Sequence, residues 1–462
     1  MTSTLWVVGV AIAVIAGLLL AIIKFKASPF IALLVSAIAF GLLTGVRPGD
    51  LADQLVEAMG GALGQISLVI GLGAIFGEML QRAGAAEQLA RTLTERVPQR
   101  LLPWTLGLAG FLVSVAVFID VAIVILFPLL YALARRTGKS LLYYAIPLGA
   151  GLSVTHTFIP PTPGPIATAG IIGADLGLVI VLGVVCGLPA LAVAGPIFGK
   201  VISKRIFVAA PAHPDGTEGE PAPGSVSGEE SRDGGEQPLP SFIAVLAALL
   251  IPLGLILVGT SSAALLEEDS FWGQALGFIG HPVIALLLTV LYVLWFFGVR
   301  KGVPLSELQR VSVAALSPAG MIILITGAGA VLGKMLVESG MGEILAGGMQ
   351  AINMPVVLFG FLAASVIRVS QGSGTVAMIT GATLTAPILD LMNAGSMLSA
   401  LTVIAVACGG TAFSHVNDSG FWMANRYLGI SVEETLKSWT VMKTIVGLTG
   451  LAVTLIIYPF VV

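Results

Sequence analysis

Stretches of about 20 apolar residues, each long enough to cross roughly 30 Å of hydrocarbon, recur from one end of the chain to the other. Nothing else in the sequence narrows the possible folds so far. In lipid every backbone amide and carbonyl must find its partner inside the protein, which leaves helices and closed barrels. The runs show no two-residue alternation, so the fold class is an all-α polytopic membrane protein. The balance of residue types agrees. Of 462 residues, 56% are hydrophobic and only 10% charged, against about one quarter charged in a soluble domain. The first run, residues 5–23, lacks a basic leader and a clear cleavage site, so it reads as a retained span. Cys186 and Cys408 both fall in apolar segments and read as small hydrophobes rather than a disulfide. The formal net charge of −3 names no partner beyond the bilayer, and nothing points to nucleic acid.

One region departs from the membrane pattern. Residues 206–240 are dominated by PAHPDGTEGEPAPGSVSGEESRDGGEQPLP, rich in Pro, Gly, Ser and acids without apolar periodicity. Such a segment buries too little to fold alone and reads as a disordered linker. The halves on either side are related. GLGAIFGEMLQRAGAAEQLA (71–90) aligns without a gap on GAGAVLGKMLVESGMGEILA (327–346), matching Gly71 with Gly327, Met79 with Met335 and Glu87 with Glu343. Downstream, VTHTFIPP lies opposite FSHVNDSG, which sets His156 against His415 in a chain with only 4 histidines.

Lysine and arginine mark the cytoplasmic ends of short loops. Lys24 and Lys26 follow the first span and place the N-terminus outside. Spans at 29–46 and 61–79 lead out and back to Arg82, Arg91, Arg96 and Arg100. Residues 101–118 and 121–133 are each too short to cross comfortably, with basic residues at both ends of the pair. They read as a re-entrant hairpin over about 101–134, with Asp120 near its tip. A broken helix over about 140–175 and a return span bring the chain to Lys200, Lys204 and Arg205. The second half starts inside and runs in reverse. Its hairpin, about 353–390, enters from outside with SQGSGT (370–375) at the tip. Its broken helix covers about 396–425, with Arg426, Lys437 and Lys443 near the inner face. The expectation is two inverted-topology repeats, 1–205 and 241–462, joined by a cytoplasmic linker. That gives about 10 full spans plus 2 hairpins, with both termini outside.

THTFIPPTPGP (155–165) sets one histidine beside four prolines where hydrocarbon should be. Proline removes a backbone donor and breaks helices, and broken backbone is tolerated in membranes where it lines a cavity. Two hairpin tips and two interrupted helices meeting near mid-bilayer form the substrate site of a secondary transporter. Asp120, alone in FLVSVAVFIDVAIVILFPLL, is costly unless it functions or pairs, for instance with Arg368. Arg368 stands just before the second tip and could clamp a carboxylate with both nitrogens. Ser370, Ser373 and Thr375 offer hydroxyls, and Gly372 and Gly374 allow close approach. Thr155, Thr157, Asn417 and Asp418 could meet substrate hydroxyls, although the last two could equally cap a turn. Candidate proton-coupling groups are Asp120, His156, His415 and Asp418, with the histidines equally able to serve as helix-ending hydrogen-bond donors.

VTHTFIPPTPGP, FSHVNDSGFW and RVSQGSGTVA strongly resemble the gluconate:proton symporters, the GntP family. The likeness runs from KFKASPFIALL near Phe25 to EETLKSW at Trp439, essentially everything outside the linker. The chain departs from the family pattern at Thr157, Thr162, Asp120 and the GSGT tip, all around the expected site, which leaves the exact substrate open. The resemblance implies proton-driven uptake of gluconate or a related small sugar-acid anion across the bacterial inner membrane. It also implies a homodimer, elevator-like movement, no cofactor besides the coupling proton, and no bound metal. A sodium-coupled organic anion carrier or antiporter would share the architecture. An intramembrane hydrolase is the remote rival, since no HExxH or comparable ligand set is present.

Overall fold

The computed structural model describes residues 4–25, 27–94, 97–115, 117–210, 239–267, 269–339, 354–416 and 418–462. Most of the expected linker, 211–238, therefore lies outside the described residues, as does the segment 340–353 aligned with 84–97.

Every regular element described is a helix. The first half contains α1 (Thr4–Ile23), α2 (Pro29–Thr44), α3 (Pro48–Arg82), α4 (Ala85–Thr94), α5 (Leu102–Val113), α6 (Ile119–Thr137), α7 (Leu142–Phe158), α8 (Pro163–Ile172) and α9 (Leu176–Arg205). The second contains α10 (Phe242–Leu265), α11 (Phe271–Gly280), α12 (Pro282–Lys301), α13 (Leu305–Glu338), α14 (Val356–Gln371), α15 (Gly374–Leu391), α16 (Ser396–Thr411), α17 (Ser419–Leu428) and α18 (Val432–Phe460).

Among the described residues six helices are long and apolar enough to cross a bilayer, and α3 with α4, bent by 62°, makes a seventh candidate. Shorter apolar helices, including α5, α14 and α16, stand beside the chain breaks. Proline at the first turn starts α2, α3, α5, α8 and α12, where its missing N–H costs nothing. Asp175 and Ser241 cap α9 and α10 by accepting from the amides of Leu178 and Ala244. Large apolar side chains such as Val35, Ile243, Phe271 and Leu291 are exposed, which suits a lipid-facing surface. Arg300 lies over the rings of Trp295 and Phe296 at the end of α12, an arrangement found at membrane interfaces.

The third span expected at 61–79 is part of one 35-residue helix, α3, which begins at Pro48. Its polar first half obscured that continuity. α3 packs along α13, and the contacts run in opposite order. Glu57 meets Lys334 at 3.0 Å, Met59 and Leu63 lie over Gly327, and Leu316 lies over Gly71. The two helices are therefore antiparallel. Gly71 and Gly327, matched in the sequence alignment, occupy corresponding places in that crossing.

Close helix approach recurs in both halves. A Cβ on Gly151 of α7 would stand 2.0 Å from the Gly107 carbonyl of α5, and one on Gly409 of α16 would stand 2.2 Å from the Phe361 carbonyl of α14. Only glycine permits such backbone contact. α14 and α15 pack along each other, with Gly381 against Ala364. The arms of the first hairpin lean chiefly on neighbours instead, α5 on α7 and α4, and α6 on α7, α4 and α17.

Candidate functional site

The second hairpin turns on Gly372, which ends α14 at φ 89°, a conformation side-chain-bearing residues rarely adopt. Ser373 then caps α15, its hydroxyl accepting from the Val376 amide. Arg368, only 3% exposed, binds this turn from below. It donates one guanidinium nitrogen to the Gly372 carbonyl and another to Asp418. Asp418 caps α17 by accepting from the Gly420 amide at 3.1 Å, and also accepts from the Ser414 hydroxyl. Among the described residues Arg368 therefore pairs with Asp418. The Asp120 side chain lies outside the described residues, and its backbone sits in the first turn of α6.

The proline cluster separates two helices. α7 ends at Phe158, Ile159 is extended, and α8 restarts at Pro163. The Thr162 hydroxyl donates to the Ile159 carbonyl at 2.7 Å, satisfying one carbonyl the break frees. One turn earlier, His156 packs edge-on against Phe118 of the first hairpin, ring centres 5.9 Å apart. Its Nδ1 is buried without a hydrogen-bond partner among the described residues. Thr157 donates to the Ser153 carbonyl and accepts from Thr411 at 2.7 Å, which ties α7 to the end of α16.

These breaks surround a cavity of about 410 Å³. The first hairpin contributes Phe118 and Ile119, and α7 contributes His156 and Thr157. The second hairpin contributes Arg368 and the run Gly372 to Thr375, and the second break contributes Asp418, Ser419 and Gly420. The N-termini of α15 and α17 both open here, and the positive end of a helix suits an anion. A larger open hollow of about 460 Å³ between α3 and α11–α12 is mainly apolar, with His281 its one titratable wall residue among the described residues. Among those residues it has none of the convergent polar groups of a ligand site.

Among the wall residues that the sequence reading did not place at the site are Trp439 and Lys443, one turn apart on α18. Lys443 was counted as a marker of the inner face. It is instead 7% exposed and donates to the Ser153 hydroxyl at 3.2 Å, about 16 Å along α18 from its start. A lysine inside VMKTIVGLTGLAVTLII was the available signal, since a buried cation in such a run is expensive and functional by default. Trp439 packs over Gly149, and its indole N–H is buried without a partner among the described residues, like Nε of Arg368. The other predicted residues are placed as follows. Gly372, Ser373, Gly374 and Thr375 line the cavity. His415 stands away from the cavity walls with Nε2 3.0 Å from the Val369 carbonyl, and the buried Thr155 hydroxyl has no partner among the described residues. The Ser370 side chain and Asn417 lie outside the described residues.

Comparison with known proteins decides the family. The family model for GntP permeases matches residues 5–461. This chain belongs to the GntP permease family. It is 37% identical over 453 residues to the gluconate permease of Pseudomonas aeruginosa, spanning 97% of this chain and 96% of that protein. It is 34% identical to the low-affinity gluconate transporter of Escherichia coli K12 over 99% of both chains. With the Gnt-II system L-idonate transporter of the same organism, identity is 32% over 95% of both. Among solved structures it is similar to the Alcanivorax borkumensis YdaH transporter, a protein of unusual topology. The TM-score is 0.66 at 15% identity, covering 94% of this chain and 98% of that one. Neisseria gonorrhoeae MtrF, described as illuminating a class of antimetabolite efflux pumps, gives a TM-score of 0.63 at 15% identity, over 88% and 83%. At that identity the likeness speaks for the fold. This permease is a multi-pass membrane transporter rather than an enzyme.

Proposed function

We propose that this permease takes up gluconate or a related small hydroxy-carboxylate, coupled to protons, across the bacterial inner membrane. One observation carries the reading: two helix N-termini, the Arg368–Asp418 pair and Lys443 converge on a single cavity. Helix N-termini and cations suit a carboxylate. The Thr157 and Thr375 hydroxyls and the partnerless indole N–H of Trp439 suit a polyhydroxy chain. The substrates printed for the relatives, gluconate and L-idonate, have this chemistry.

The remaining expectations belong to the same reading. The antiparallel crossing of α3 and α13 supports an inverted repeat, and the lysines and arginines of the short loops support outward termini and a cytoplasmic linker. Elevator-like movement and a homodimer come from the family resemblance. One proton with one monovalent anion moves no net charge. Uptake then follows the pH gradient and ignores the membrane potential, worth about 2.3 kcal/mol per charge per 100 mV.

The test is radiolabelled gluconate uptake into proteoliposomes. Accumulation under an inward-acid pH gradient, without sodium and unchanged by an imposed potential, is the expected outcome. Accumulation that needs sodium at fixed pH transfers the coupling to that ion. Absence of accumulation with every sugar acid tried removes the substrate assignment.

A further inference from the structure

We propose that the corner between α6 and α7 and the last turns of α9 form a binding site for an anionic phospholipid, its headgroup phosphate on basic side chains and its acyl chains along α9. The inference goes beyond the transport reading and does not depend on it. The chain leaving α9 folds back across the corner. The Leu141 amide donates to the Val208 carbonyl at 2.8 Å, and the Val208 amide donates to the Ser140 hydroxyl at 3.0 Å. That hydroxyl donates in turn to the Ile206 carbonyl at 3.2 Å. Lys139 directly precedes Ser140 and Arg205 directly precedes Ile206, so this clip draws together two cations from separate parts of the chain. Arg136 in the last turn of α6, and Lys200 and Lys204 in the last turns of α9, extend the patch. Among the described residues none of these cations pairs with a carboxylate.

The adjoining surface suits a lipid's two chemistries. Gly195 and Gly199 turn one side of α9 onto Pro147 of α7. On the opposite side Val193, Ile197 and Val201 are exposed. Lys200 follows Ile197 by three residues and Lys204 follows Val201 by three, so both lysines continue that face. A lipid-facing apolar stripe thus runs directly into two ammonium groups. Acyl chains take the stripe, and the phosphate takes the cations at its end. Lys139 holds its ammonium 4.2 Å from the centre of the Tyr143 ring, an aromatic of the kind found at headgroup depth.

The orientation of the spans explains why cations stand at this end of the bundle. It asks for neither a hydrogen-bonded clip that gathers them from separate segments nor an apolar face that leads into them. Because the clip fixes the backbone beneath Lys139 and Arg205, less freedom is lost when their side chains close on one ligand. Arg136 and Arg205 present planar forks that match phosphate oxygens, and the lysines add compact charges. Each such cation beside an anionic lipid surface is worth roughly a 5-fold gain in binding. A zwitterionic headgroup, whose own ammonium offsets its phosphate, gains less.

Full-length permease in detergent, titrated with phosphatidylglycerol and separately with phosphatidylcholine, tests this by thermal shift. The wild type should melt higher with phosphatidylglycerol than with phosphatidylcholine. In the triple variant Lys200→Gln, Lys204→Gln, Arg205→Gln the half-saturating phosphatidylglycerol concentration should rise roughly 5-fold or more. In the double variant Arg300→Gln, Lys301→Gln, which removes cations from the end of α12 instead, it should stay as in the wild type. An unchanged value in the triple variant overturns the site. An equal rise in the α12 variant overturns it too, because the effect is then general charge attraction. If glycerol phosphate in solution reproduces the whole shift, the patch takes a soluble anion and the lipid assignment falls. Should the triple variant not fold, the wild type decides by photolabelling. Phosphatidylglycerol with a diazirine on its acyl chain should label α9 around Ile197 and Val201 several times more strongly than the phosphatidylcholine analogue. Equal labelling overturns the proposal.

Discussion

At the scale of residues, the site depends on the buried Arg368 guanidinium with the Asp418 carboxylate beside it. Asp418→Asn leaves Arg368 short of its counter-charge, and breaking such a pair typically costs about 3–5 kcal/mol. The variant should melt several degrees lower in a detergent thermal-shift assay and lose gluconate uptake, since the α17 cap loosens with it. Trp439→Phe keeps the ring over Gly149 and removes only the partnerless N–H. It should fold normally and raise the half-saturating gluconate concentration about 3- to 10-fold, one neutral hydrogen bond's worth. An unchanged value would mean the indole nitrogen never meets substrate. Most wall residues on the breaks were legible because Pro, Gly and His are conspicuous among apolar runs. Lys443 was not, because one positive charge can mark a membrane face or a buried site, and linear order does not distinguish them. Nor could the order of residues say that Arg368 pairs with Asp418, 50 positions away.

Elements are held apart or together by what glycine allows. A methyl group on Gly151 would sit 2.0 Å from the Gly107 carbonyl and 2.7 Å from the Phe111 amide. Backbone cannot yield as a side chain does, so Gly151→Ala should sit at or above the usual overpacking cost of about 1–3 kcal/mol. It should give little monodisperse protein on size-exclusion chromatography. Gly60→Ala, with open space around it on α3, should behave as wild type. The breaks at 159–162 and 372–373 were readable from Pro and Gly alone. The full length of α3 was not, because residues 48–60 mix acids with apolar residues and resemble a loop when hydropathy is averaged.

On the scale of the whole molecule, the internal likeness at 71–90 and 327–346 suggested two related halves, and the α3–α13 crossing sets the helices that carry those segments antiparallel, Gly71 against Leu316 and Gly327 against Met59 and Leu63. Linear sequence offers the resemblance but not the contact, which depends on how two long helices meet. Lys301→Cys and Val462→Cys test the proposed orientation. A membrane-impermeant maleimide should reach the first only from the cytoplasmic side and the second only from outside. Labelling of both from one side would reject the inverted arrangement. Cys186 and Cys408 are buried and should stay silent.

Arg368 staples the Gly372 turn to the start of α17. Parting those two would strip a desolvated guanidinium of its anion, so they travel as a single jaw. The opposing lip, where Phe118 rests edge-on against His156, is joined by a ring contact that slides cheaply. A passenger that needs room is therefore expected to gain it beside Phe118 sooner than between Gly372 and Asp418.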